Sequence, residues 1–288
     1  MTEPRVPPRI PHLSTIPELR RQVRHWRKAG ERVGLVPTMG ALHAGHIELV
    51  RQAKAQADRV VVSIFVNPAQ FAPHEDFDRY PRTLDSDIDL LTSTGCDLVW
   101  APAMIAMYPA GFATRIVPAG AAVGLESDFR PHFFGGVATV CTKLFTQVAP
   151  DFAVFGEKDY QQLAVMRQLV RDLDLPLDIV GAETIREPDG LALSSRNRYL
   201  SPAERAISPQ LNRTLVAVAA AIAAGADGAA ACARATAEIR AAGFASVDYV
   251  AVRQVDTLAP IERGSTEPRR VLAAAWLGKT RLIDNIPA

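Results

Sequence analysis

No charge of one sign dominates this chain. Its 32 lysines and arginines stand against 31 acidic residues, a net charge of +1. That balance offers no electrostatic handle for nucleic acid or for an anionic membrane, and neither is expected as a partner. Cysteine is scarce: Cys96, Cys141 and Cys232 lie far apart, without the C-x-x-C spacing of a redox or zinc motif. Buried free thiols in a reducing compartment are the expectation, and with it a cytoplasmic location. Long apolar runs are missing as well. The alanine-rich stretch 215–224 is about half the ~20 residues a membrane span needs, and Gly225, Asp227 and Gly228 interrupt the chain directly after it. The opening M-T-E-P-R-V-P-P-R-I-P lacks the apolar region of a secretory signal, and its prolines predict a disordered lead-in. Repeats are absent. The remaining composition, 48% apolar over 288 residues, suits a globular enzyme of one large or two ordinary domains.

The most informative stretch is 33–54, V-G-L-V-P-T-M-G-A-L-H-A-G-H-I-E-L-V-R-Q-A-K. Residues 33–36 read as a short apolar strand stopped by Pro37. A small-residue turn covers 38–45, and then Ile47, Leu49 and Val50 switch to a helical period. Strand, glycine turn and helix put unpaired backbone N–H groups and a positive helix end in front of an anion. His43 and His46 flank Gly45 there. The glycine lets phosphates approach, and the imidazoles supply donors where charge grows. A zinc pair is disfavoured by the i, i+3 spacing and by the lack of a third His or Cys nearby. The expected ligand is a nucleoside triphosphate.

The rest of the chain supports an α/β reading. Residues 17–28 predict a basic amphipathic helix with Leu19, Val23 and Trp26 on one face. Residues 59–66, R-V-V-V-S-I-F-V, show no polar alternation, as in a parallel strand covered on both faces. N-P-A-Q-F comes next, at its carboxyl end, where open α/β sheets bind ligands. There Asn67 and Gln70 either offer neutral hydrogen bonds to a small polar substrate or form an ordinary Asn-Pro turn; residue physics leaves both open. A polar loop (74–82), a helix (84–92) and a strand (97–101) succeed it. Asp85, Asp87 and Asp89 do not share one helical face. Asp87 is the candidate contact for a magnesium held mainly by phosphates and water; the plainer role is a solvated surface charge.

Residues 135–148 read as a helix and 151–155 as a strand running straight into G-E-K-D-Y-Q-Q-L, which repeats the opening design. Lys158 is a mobile cation for a triphosphate, Asp159 an acceptor for ribose hydroxyls, and Gln162 lies one helical turn past Lys158. The alternative for Lys158 and Asp159 is an exposed ion pair worth under ~1 kcal/mol. After a strand at 177–180, E-P-D-G (187–190) is a turn and a domain hinge. Ser194, Ser195, Arg196 and Arg198 then group hydroxyl and guanidinium donors as a phosphate clamp requires. Ser201 and Glu204 form a capping box. Helices over 202–224 and 229–242 precede strands at 247–253, 270–276 and 281–283. The expected fold is a Rossmann-like parallel-sheet domain over 1–186 with a smaller α+β domain over 187–288.

P-T-M-G-A-L-H-A-G-H, V-V-S-I-F-V-N-P-A-Q-F, Y-P-R-T, F-G-E-K-D-Y-Q-Q-L, D-G-L-A-L-S-S-R-N-R-Y-L and A-A-W-L-G-K-T-R-L-I-D-N resemble the motifs of the pantoate–β-alanine ligases, within the HxGH nucleotidyltransferase-like superfamily. They run from residue 33 to 285. The resemblance implies that Met39, Gly40, Ala41, Leu42, His43, Ala44, Gly45 and His46 line an ATP site, with His46 as proton donor. It adds ATP contacts from Gly156, Glu157, Lys158, Asp159, Ile185, Leu193, Ser194, Ser195 and Arg196. Gln70 and Gln162 would bind pantoate, and Gln70 also β-alanine. A homodimer through the first domain and a mobile lid in the second are implied too. In one departure, R-P-H-F-F-G-G-V stands where the family shows R-P-G-H-F-x-G-V, so His132 is given no role.

The implied chemistry is an ATP- and Mg2+-dependent joining of pantoate to β-alanine through a pantoyl adenylate. His43, His46, Lys158 and Arg196 would neutralise the charge, and bound phosphate is expected to keep His46 protonated. Two other readings stand beside it. One is another nucleotidyltransferase of the superfamily acting on a phosphate, which the neutral Asn67, Gln70 and Gln162 oppose. The other is a nucleotide sensor without turnover.

Overall fold

The computed structural model describes residues 9–72, 77–262 and 265–288. Most of the proline-rich lead-in and residues 74–76 of the expected polar loop lie outside them. The chain groups into two compact units: Met1–Pro118, His132–Phe155 and Met166–Ala182 form the first, and Ala119–Pro131, Gly156–Val165 and Glu183–Ala288 the second. The division therefore differs from a single cut at 186/187, because two earlier segments join the C-terminal unit.

The first unit is built on a parallel sheet of six strands: β1 (His12–Leu13), β2 (Val33–Thr38), β3 (Arg59–Ile64), β4 (Leu98–Trp100), β5 (Phe152–Gly156) and β6 (Asp178–Ala182). Their spatial order is β1-β4-β3-β2-β5-β6. Helices α1 (Ile16–Lys28), α2 (Ala44–Lys54), α3 (Leu84–Thr92), α4 (Met104–Met107) and α6 (Phe133–Val148) accompany it, with the short α5 (Glu126–Phe129) and the long α7 (Tyr160–Asp172) carrying the 119–131 and 156–165 segments. The apolar run of β3 behaves as read: Val60, Val61 and Val62 are fully buried. Val60 and Val62 pack with Val36, Val50, Ile88, Leu91, Val99, Phe152 and Val154 in one core cluster, each such side chain contributing roughly 1.5–3 kcal/mol on burial.

Pro37 does not stop β2; the strand continues to Thr38 in register with Ser63 and Ile64 of β3. The Thr38 carbonyl accepts from Phe65 N–H at 3.1 Å, on the β3 side. Pro37, one residue earlier, turns its donor-free edge the other way, where pairing with β5 reaches only Leu35 and Ala153. The chain fills β2, β3 and β4 in turn toward one edge and then returns to β5 on the far side of β2. The switch point of the sheet thus lies between β2 and β5, and ligands of such sheets gather at the carboxyl ends there.

The second unit pairs helices α8 (Pro202–Ile207), α9 (Gln210–Ala223) and α10 (Gly228–Ala241) with an antiparallel sheet of β7 (Ser246–Gln254), β8 (Arg269–Leu277) and β9 (Thr280–Pro287). Leu211, Leu215 and Val218 of α9 join Ala231, Ala235 and Ile239 of α10 over Val271, Ala273 and Ala275 of β8. The capping box is present: Glu204 N–H donates to Ser201 Oγ at 3.3 Å and Ser201 N–H to Glu204 Oε2 at 2.7 Å. The helix expected over 202–224 is split at Ser208 and Pro209, where the missing N–H and the ring of proline interrupt the ladder. All three thiols are free, and burial pushes those of Cys96 and Cys141 up to about 12, which leaves them unreactive. Among the described residues no helix is long and apolar enough to cross a membrane.

Candidate active site

The carboxyl end of β2 turns through two left-handed residues, Gly40 (φ +82°) and Ala41 (φ +51°). Gly40 fits where a side chain would not: a Cβ would stand 3.0 Å from Asp87 Oδ2 and 3.2 Å from Ile64 Cγ2. Ala41 holds a conformation that disfavours a Cβ, and something must compensate. Asp87 does. Its Oδ2 accepts from Ala41 N–H at 3.0 Å and from Thr83 Oγ1 at 3.0 Å, and its Oδ1 accepts from Leu42 N–H at 2.9 Å. At 3% exposure Asp87 is not a solvated charge, and both oxygens are committed to protein donors rather than turned to a metal. Its neighbours Asp85 and Asp89 are the exposed pair, bound to Arg9 at 2.8 and 3.0 Å. Among the described residues no three His, Cys, Asp or Glu side chains gather to hold an ion.

α2 starts one residue after His43, which is its N-cap. Gly45 N–H donates to His43 Nδ1 at 3.1 Å, and His43 N–H donates to His46 Nδ1 at 3.3 Å. The two rings lie 4.1 Å apart, tilted by 48°. A ring nitrogen that accepts carries no proton, so these contacts assign the proton of each neutral ring to Nε2. Protonating Nδ1 would set two N–H groups against each other. The contacts at Nδ1 leave Nε2 of each ring as the edge that can donate to a ligand.

At the carboxyl end of β3, Asn67 is 1% exposed. Its Nδ2 donates to Gln70 Oε1 at 3.0 Å and to Gly136 O at 3.2 Å. Its Oδ1 accepts from Tyr108 Oη at 2.6 Å and from Ala69 N–H at 3.3 Å. All four bonds of the amide are used, which leaves nothing for a substrate. What Asn67 does is hold Gln70, whose Nε2 also reaches Met39 Sδ at 3.1 Å. Burial pushes the Tyr108 phenol up to about 12, so it remains a donor. Gly136 closes the corner from α6: a Cβ there would stand 2.2 Å from Ala69 O and 2.7 Å from Gln70 N. Sequence reasoning missed Tyr108 and Gly136, and nothing local marks either. His132, just before α6, makes no capping bond with its side chain.

In the second unit, Gly156 leads into a 3-10 turn, Glu157–Asp159, and then into α7. Lys158 Nζ lies 3.7 Å from Asp159 Oδ2, with the two side chains 20% and 48% exposed. The adjacent glutamines divide the work. Gln161 is buried, donating to Ala121 O and Gly124 O and accepting from Glu126 N–H. Gln162 is half-buried and its side chain makes no hydrogen bond among the described residues. Further on, Leu193 N–H donates to Ile185 O at 2.9 Å, so those two residues meet through their backbones. Ser194 caps the 3-10 turn Ser195–Tyr199, its Oγ accepting from Arg196 N–H at 3.2 Å. Arg198 is turned back onto Ser195 O at 2.9 Å.

Residues 12–287 match the model of a known family, described as pantoate-beta-alanine ligase. The pantothenate synthetase of Mesorhizobium japonicum is 59% identical over 274 residues, covering 95% of this chain and 96% of its own. That of Maricaulis maris is 58% identical over 280 residues, 97% of each chain. Among solved structures, the pantothenate synthetase of Thermus thermophilus superposes with a TM-score of 0.90 at 46% identity, covering 96% of this chain and 99% of that one. The Francisella tularensis pantoate-beta-alanine ligase, complexed with beta-gamma ATP and beta-alanine, gives 0.81 at 34%, covering 96% and 97%. These matches run through both units and set aside the sensor and the other nucleotidyltransferase of the superfamily. The chain is an enzyme, a ligase, and it belongs to the pantoate–β-alanine ligase family.

Proposed function

We propose that the chain joins pantoate to β-alanine at the expense of ATP, in two steps. In the first, a pantoate carboxylate oxygen attacks the α-phosphorus of ATP, the bond to the β,γ-phosphates breaks, and pyrophosphate leaves. In the second, the free amine of β-alanine attacks the pantoyl carbonyl. The C–O bond breaks, AMP leaves with the oxygen that came from pantoate, and the amine gives up a proton. Activation is needed because a bare carboxylate is electron-rich and its leaving group would be oxide.

The first step brings two anions together, so stabilising charge at the α-phosphate should dominate. The observation that carries the reading is the pair of imidazoles at the start of α2, each with Nδ1 turned to a backbone N–H, seated on a turn whose backbone Asp87 fixes. Imidazole N–H donors at a helix start stabilise growing negative charge. In the same reading Lys158 and Arg196 supply positive charge to the phosphates, Ser194 and Ser195 supply hydroxyls, and Ile185 and Leu193 add contacts to ATP. Gln70, held by Asn67, and Gln162 bond the hydroxyl and carboxylate groups of pantoate. Mg2+ would enter with ATP, held mainly by phosphates and water, and would offset their charge. The ATP and β-alanine bound by the Francisella tularensis relative support the choice of co-substrates.

The test is a coupled assay for AMP. Its formation is expected only with pantoate, β-alanine and ATP together. His46→Ala and Lys158→Ala should each slow pyrophosphate release at least about a hundredfold with the fold intact by circular dichroism. Near-normal release from both variants would remove these residues from the chemistry.

A further inference from the structure

β9 carries two adjacent buried polar residues, Asp284 and Asn285, each 4% exposed. The chemistry above uses neither. Successive strand residues point to opposite faces, so such a pair reaches two different segments. Asp284 takes Arg186 in a bidentate pair, at 2.7 and 2.8 Å, beside the Ile185 and Leu193 backbone contact. Asn285 reaches the other segment. Its Nδ2 donates to Glu157 O at 2.8 Å and to Lys158 O at 2.9 Å, so both amide hydrogens close on one turn. Its Oδ1 accepts from Arg270 Nη1, and Arg270 Nη2 meets Glu157 Oε2 at 2.9 Å. The same guanidinium lies over the Tyr160 ring, 3.9 Å from its centroid. Residues 157–160 are therefore gripped on both sides of Lys158, through backbone and side chain, while the Lys158 ammonium, 3.7 Å from Asp159 Oδ2, pairs with neither Asn285 nor Arg270.

Stability alone is a poor account of this arrangement. Arg270 is 7% exposed, and its Nε is buried without a hydrogen-bond partner among the described residues; buried ion pairs with an orphaned donor are weak stabilisers. A lysine, by contrast, is a point charge on a flexible four-carbon stem, and its aim depends on where its backbone is fixed. A shift of about 1 Å in such a group can cost on the order of 10²-fold in rate.

We infer that Asn285 is a positioning residue for Lys158: its amide, braced by Arg270, fixes the 157–159 turn so that the ammonium meets the phosphates of ATP. The inference rests on the role given to Lys158 above, and the experiment separates the two. Single-turnover pyrophosphate release from MgATP and pantoate is measured for the full chain and for Asn285→Ala, Asn285→Asp, Lys158→Ala and the Lys158→Ala/Asn285→Ala double variant. Asn285→Asp keeps the acceptor for Arg270 and replaces the donor to both carbonyls with an oxygen. Asn285→Ala is expected to slow release at least tenfold, and Asn285→Asp at least as much. In the Lys158→Ala background the same alanine change should cost less than twofold, because the group it serves is gone. A merely structural role would cost the same in both backgrounds, and that result overturns the inference. So do rates within threefold of the parent for both Asn285 variants, with Lys158→Ala impaired and the reading of Lys158 intact. Loss of folding in both Asn285 variants would assign the residue to stability and also overturn it. A normal rate for Lys158→Ala would take down the role of Lys158 and this inference with it.

Discussion

At the scale of single residues, the groups legible in the sequence are those whose meaning lies in their neighbours along the chain. His43 and His46 announce themselves through the glycine between them and the strand before them. Asp87 and Asn67 do not, because their partners are 45–46 residues away for one and up to 69 for the other. Spacing made Asp87 a metal candidate or a surface charge; burial makes it the anchor of the Gly40–Ala41 turn. Asp87→Asn should therefore destabilise the protein by about 1–3 kcal/mol, since an NH2 group would face backbone N–H donors and leave one unpaired. Urea unfolding measures the loss, and the KM for ATP should rise with it. An unchanged unfolding midpoint would deny the anchor. The same distinction explains Asn67. Neutral amides at a strand end were legible, but only the bonds of Tyr108 and Gly136 show that the Asn67 amide is fully used in holding Gln70 and its surroundings.

At the scale of elements, the periodic segments were read to within a few residues: α1, α3, α6 and the strands of the second unit lie where their apolar spacing puts them. The misreadings have local physical causes. Pro37 sits in β2 because its donor-free side is not paired, and Pro209 breaks a helix whose alanine-rich pattern runs on past it. β1, two residues long, is too short to show a period. One close approach tests how these elements bear on the site. Gly136 lets α6 touch the segment that holds Gln70, and Gly136→Ala would drive a Cβ into Ala69 O. We expect a stability loss of about 1–3 kcal/mol from overpacking and a weakened KM for pantoate, both measurable on the purified variant. A variant as stable and as active as the parent would show that the contact does not matter.

At the scale of the whole molecule, the E-P-D-G turn at 187–190 marked a domain hinge in the sequence, yet the grouping into units is interleaved. Segments 119–131 and 156–165 join the C-terminal unit through Gln161, Glu157 and the Arg281–Glu126 pair, at 2.8 Å. No local composition signals such long-range exchange. Several carboxylates across the chain are held below their ordinary range: Glu31 by its bond to Arg59, Glu48 by Arg51, Asp189 by Arg205, and Glu204 by the Ser201 backbone. Folded values below the ordinary 4.5 for glutamate and 3.8 for aspartate mean that the unfolded chain binds protons first as pH falls. Their stabilisation is present above those values and is lost below them, so Tm should hold from pH 7 to 5 and fall toward pH 3.5. Calorimetry that finds Tm level down to pH 3.5 would contradict this. The homodimer and the lid role of the C-terminal unit belong to the proposed function as well. Sedimentation should give twice the 31.2 kDa chain mass, and the enzyme with ATP and pantoate alone should leak little free AMP, because a closed site protects the mixed anhydride from water.

The central claim is that the carboxylate of pantoate is activated by transfer to AMP, and it can be followed through one atom. Pantoate carrying 18O in both carboxylate positions is turned over with ATP and β-alanine, and the products are weighed by mass spectrometry. The account predicts one 18O in each AMP formed and none in pyrophosphate. Label appearing in inorganic phosphate, with ADP as the nucleotide product, would contradict it.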